Sequence, residues 1–157
     1  MHLPRFVWPL LPLLLHIGLG LYYRWTGRVA MTGGAEGWDW LWQVLDAQLL
    51  RQGLWQNLWD LHMQPPLYNL YGAFFIHLQP NNFLSLVHYA NLLAGGLLSA
   101  MGFALAYTLT RSRLYASLVA CAVALNPALC LYAAHPLYTI FTAFLLTLAA
   151  FWLARYQ

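Results

Sequence analysis

Four apolar segments of this chain, residues 6–23, 65–78, 83–109 and 114–132, contain no charged residue, and a fifth, 136–156, contains only Arg155 near its end. A run of about 20 apolar residues is what an α-helix needs to cross the hydrocarbon of a bilayer. In lipid the backbone must satisfy its own hydrogen bonds, so such runs fold as helices. Only 7% of the residues are charged, against about 25% in a soluble domain. The chain therefore reads as an all-α integral membrane protein forming a single membrane domain over residues 1–157. The net charge of +3 comes from seven arginines and four acids, with no lysine. It forms no basic run, which argues against a nucleic-acid partner.

Segment 65–78 is short for a crossing and suits an interfacial or re-entrant helix. Arginine placement supports this. If all five segments cross with Arg5 in the cytoplasm, Arg111, Arg113 and Arg155 fall outside, against the positive-inside tendency. If 65–78 stays on the outer side, all four are cytoplasmic. The expectation is about four transmembrane helices, with interfacial helices in the first extracytoplasmic loop. The first segment has no small-x-small cleavage site after it and reads as an uncleaved span. The expected location is the cytoplasmic (inner) membrane, with the site on its extracytoplasmic side.

The loop 24–64 holds all four acids, Glu36, Asp39, Asp46 and Asp60. Trp38, Leu41, Trp42, Leu45, Leu49 and Leu50 recur at helical spacing and predict a surface helix over 38–54, with Gly53 as an end signal. Its polar face would carry Asp39, Gln43, Asp46 and Arg51. Asp39 can serve as a general base at the lipid interface, or be a solvated charge favoured by the helix dipole. Asp46, seven positions on, would share that face. Two carboxylates there can hold a divalent metal or divide acid and base roles, and Asp46 can equally pair with Arg51. His62 and Gln64 precede the double proline Pro65-Pro66, and His62 can contact a phosphate. No His/Cys/Asp cluster has metal-ligand spacing, so no structural metal or other cofactor is expected. Cys121 and Cys130 lie roughly 13 Å apart on one predicted helix, too far for a disulfide.

Asn91, Gly95, Ser99, Gly102 and Ala106 form one small-residue stripe, and Ala116, Ala120 and Ala124 another. Both predict close helix packing. Asn126-Pro127 marks a kink or break. His16 should face protein and be neutral if it lies in a span. Tyr68, Tyr71, Phe74 and Phe75 can line a groove for a prenyl chain or simply pack.

The stretch from Asp39 through Ala47 and Leu50 to Gly53, followed by Pro65-Pro66-Leu67-Tyr68 and then by Asn126-Pro127 and residues 132–139, resembles the membrane-embedded GT-C glycosyltransferases. That family includes protein O-mannosyltransferases and the lipid A aminoarabinose transferase. Its pattern is a first span, an acid-bearing outer loop and a P-P-L-Y-like motif. This chain departs from it at Trp40 and Gln43, where relatives keep an acid and a tyrosine, and at Gln64, where they often have His or Lys. The resemblance implies the N-terminal part of a larger enzyme that moves a sugar from a polyprenyl-phosphate donor to an acceptor on the outer face. It implies Asp39 as the catalytic base, with His62, Gln64, Arg51, Asp46 and Tyr68 toward the donor. Two other readings stay open: a non-catalytic scaffold or lipid-binding protein on the same fold, and a small transporter subunit.

Overall fold

The computed structural model describes residues 7–27, 46–59, 66–135 and 138–156. The described residues are helical, joined by short turns: α1 (Val7–Trp25), α2 (Ala47–Gln52), α3 (Leu54–Trp59), α4 (Pro66–Leu78), α5 (Phe83–Thr110), α6 (Arg113–Ala124), α7 (Pro127–Ala134) and α8 (Thr139–Tyr156). The all-α reading holds. Among the described residues, α5 and α8 are each long and apolar enough to cross a membrane, and α6 with α7 makes a third span if the bent pair is counted as one.

The long helix α5 is the hub, packed against α1, α4, α6, α7 and α8. Its 28 residues reach about 42 Å at 1.5 Å per residue, beyond the roughly 30 Å of hydrocarbon. Helix α1 runs antiparallel to it. Trp8 lies near the C-terminal half of α5, beside Phe103 and Tyr107, and Arg24 lies near its start, beside Ser85. Side chains of each helix fill the space over glycines of the other, and the α1 backbone comes close at Gly96, where a Cβ would lie 3.2 Å from Leu13 O. A methyl group on Gly20 would run into Leu92, and one on Gly95 into the His16 ring. On α6, Ala116, Ala120 and Ala124 are fully buried, as their stripe predicts. Helix α8 is apolar on every side and buries Ile140 alone, leaving Leu146, Trp152 and Leu153 exposed. Such a surface suits lipid rather than water.

The turn between α5 and α6 is closed by Arg111 in the left-handed region (φ 56°), whose N–H donates to Tyr107 O, and Ser112 then caps α6. The break between α6 and α7 follows from Leu125-Asn126-Pro127. Pro127 has no N–H to give Val123 O, which the Asn126 N–H takes instead at 3.2 Å. The Asn126 side chain accepts from Ala128 N–H at 2.9 Å, the donor that an unbroken helix would have given to Ala124 O. The two half-helices diverge by 51°.

The acid-bearing segment corrects the sequence reading. Asp46 is not on a helix face. Its backbone is extended (φ −47°, ψ 133°), and its carboxylate accepts from Gln48 N–H as the N-cap of α2. Aspartate favours that role because a helix start leaves N–H groups without partners. A helix over 38–54 is therefore interrupted at 46, where α2 begins with Asp46 as its cap. Gly53 does end α2, its N–H bonding to Leu49 O. Helix α4 has 13 residues, too short to cross, and packs beside α2, α3 and the start of α5. Cys121 and Cys130 are both free and sit on separate half-helices.

Candidate functional site

A polar seam runs down α5. Ser85, His88, Asn91, Gly95 and Ser99 recur every three or four positions and so share one face. All but Ser85 are buried. The seam meets the carbonyls that the broken span leaves unpaired. His16 Nδ1 lies 3.1 Å from Ala124 O, at the end of α6. His88 Nδ1 lies 3.0 Å from Ala133 O, near the end of α7. Asn91 Nδ2 donates to His135 O just beyond α7 at 3.4 Å. A carbonyl only accepts, so Nδ1 carries the proton in both rings. In a neutral ring Nε2 is then a bare acceptor. Both Nε2 atoms are buried, with no partner among the described residues. In lipid an unpaired carbonyl costs several kcal/mol, which explains polar side chains inside an apolar helix.

Asn91 also ties α4 into this seam. Tyr71 donates its hydroxyl to Asn91 Oδ1 at 3.1 Å. The rings of Tyr68 and Tyr71 stack at 5.3 Å, and both lie against Phe141 at the start of α8. Helix α4, the end of α7 at His135 and the start of α8 at Phe141 thus meet at one end of the bundle. Burial pushes the phenols of Tyr68 and Tyr71 above the usual tyrosine range, so both stay protonated.

A cation stands at the same end. Arg24 Nη2 donates to Ser85 Oγ at 3.4 Å, and its guanidinium lies 4.9 Å over the Tyr89 ring. Arg24 Nη1 is buried without a partner among the described residues. This places a positive charge with one donor unpartnered among the described residues against the Ser85–Tyr89 turn of α5.

The residues expected from sequence fall unevenly. Asp39, His62 and Gln64 lie outside the described residues. Arg51 does not pair with Asp46; its Nη2 donates to Pro80 O at 3.0 Å, fastening α2 to the α4–α5 turn. Tyr68 is buried in the α4–α5 core with Leu50, Ala73, Ile76 and Val87. Phe75 packs against this cluster, while Phe74 is exposed. His16 faces protein, as expected. The sequence reading missed Arg24, His88, Asn91 and Tyr71 as a group. The available signal was the three- and four-residue spacing of polar residues in an apolar helix, where such residues are costly. Among the described residues, no three His, Cys, Asp or Glu gather to hold a metal ion.

No known protein family, curated protein or solved structure matches this chain.

Proposed function

We propose that the chain is the N-terminal part of a polyprenyl-phosphate-dependent glycosyltransferase with four membrane crossings, α1, α5, the bent pair α6–α7 and α8, working on the extracytoplasmic side. One observation carries this reading. The Tyr71–Asn91–His135 link joins the two motif-bearing segments at the end of the bundle that also holds α2, α4 and Arg24. Sugar transfer from a lipid phosphate needs a base for the acceptor proton and donors for the departing phosphate. Asp39 fills the first role. Arg24, with an N–H unpartnered among the described residues beside Ser85 and Tyr89, adds a phosphate-facing cation to His62, Gln64 and Arg51. Broken helices suit such sites, because irregular backbone at membrane depth must be buried in protein or line a cavity.

The test is binding and turnover of a polyprenyl-phosphate-linked sugar by protein reconstituted in liposomes. Asp39→Asn should lower transfer by about 10²–10⁴-fold and leave donor binding intact. Arg24→Gln should weaken donor binding. If the wild-type chain retains no polyprenyl phosphate, or if Arg24→Gln retains it unchanged and Asp39→Asn transfers normally, the reading is wrong.

A further inference from the structure

The opposite end of the bundle carries a second site. Trp8, Pro9, Phe103, Ala104, Tyr107, Thr108, Arg113 and Phe151 enclose a cleft of about 220 Å³ between α1, α5, α6 and α8. We propose that it holds the phosphodiester of an anionic glycerophospholipid. Its walls are aromatic, with Phe103 and Tyr107 stacked at 6.1 Å. Two groups break this apolar lining. The Trp8 indole N–H is buried and has no acceptor among the described residues, although an indole donor ordinarily finds one when buried. Arg113 offers a planar fork of donors suited to phosphate. It is also the first residue of α6, so the positive end of that helix faces the same opening.

The surroundings favour an anion that brings its own apolar tail. Arg111 is exposed two positions before Arg113, and Arg155 lies one turn beyond Phe151, its guanidinium 6.0 Å from that ring. No acid follows Asp60 in the sequence, so residues 61–157 offer these arginines no carboxylate. Leu109 and Leu114, flanking the cleft residues in sequence, are 67% and 70% exposed. They extend apolar surface away from the cationic mouth. Basic pockets between membrane helices are where phospholipid headgroups are captured. This site does not depend on the transferase reading.

The experiment is native mass spectrometry of the protein released from nanodiscs containing equal phosphatidylglycerol and phosphatidylcholine. Phosphatidylglycerol should be retained in preference. Arg113→Gln should reduce that retention roughly tenfold, the loss of one charge-assisted contact. Trp8→Phe, which keeps an aromatic ring but removes the indole N–H, should reduce it less. Equal retention of the two lipids would overturn the proposal, as would unchanged retention in both variants. Retention lost in Arg24→Gln and kept in Arg113→Gln would place the lipid at the wrong end. Displacement by millimolar inorganic phosphate would identify a free phosphate site in place of a lipid one.

Discussion

His16 gives its Nδ1 proton to the carbonyl of Ala124, 108 residues away, at 3.1 Å. That carbonyl is unpaired only because Asn126 has captured the amide of Ala128. The donor and the break belong together, so His16→Leu should leave a buried acceptor unsatisfied. The expected cost is about 1–3 kcal/mol, read as a lower unfolding midpoint in detergent. A His16→Leu protein as stable as wild type would show that the contact contributes nothing.

Removing the break should largely rescue that loss. In the double variant Asn126→Ala, Pro127→Ala, the Ala128 N–H is free to return to Ala124 O and α6 can run on into α7. Comparing His16→Leu in this background with His16→Leu in the wild type gives a double-mutant cycle. The penalty of His16→Leu should shrink by more than half. Additive effects would mean the two features are independent.

Gly95 sits against the His16 ring, which fills the space that a Cβ there would need. Gly95→Val should push His16 off its carbonyl and destabilise the fold by about 1–3 kcal/mol, the usual range for overpacking. Gly102→Val is the contrast. A Cβ at Gly102 meets nothing within 4 Å, so its midpoint should stay near wild type. Equal effects at the two positions would refute the close approach.

Tyr71→Phe keeps the ring stack with Tyr68 and removes the hydroxyl that donates to Asn91 Oδ1. Stability should fall by about 1 kcal/mol. Hydrogen exchange should quicken at the start of α4, because that link ties α4 to the seam. Unchanged exchange there would sever α4 from the proposed site.

Topology gives a separate check. With Cys121 and Cys130 replaced by alanine, a cysteine at Ser112 should label from the same side as one at Arg155. A cysteine at Asn81 should label from the opposite side. Ser112 and Asn81 labelling from one side would rule out four crossings.

The sequence made some of this legible. Asn126-Pro127 announced the break, Gly53 announced the end of α2, and the alanine stripe on α6 announced its buried face. Each is a local signal, written within a few residues. The partners of His16 and His88 were not legible, because they depend on which carbonyl a distant break leaves exposed. Asp46 was misread for a different reason. The leucine spacing at 45, 49 and 50 runs across it, and periodicity does not register that an aspartate takes the capping position. Sequence proximity offers Arg51 the nearby Asp46 as one partner, while its acceptor in the fold is a carbonyl 29 residues on. The proposed role of Asp39 comes from its place in the acid-bearing loop and its register with Ala47, Leu50 and Gly53 in the sequence.

The bent pair α6–α7 carries a consequence for biosynthesis. Its exposed carbonyls are satisfied by His16, His88 and Asn91, and all three precede it in the chain. A ribosome makes α1 and α5 before either half-helix emerges. The donors are therefore waiting when the acceptors arrive, and the broken segment need never sit in lipid with bare carbonyls. The reverse order of elements would have to insert an unsatisfied helix first. A chain cut between α5 and α6 and expressed as two pieces should on this view assemble only when the N-terminal piece is made first or made together with its partner.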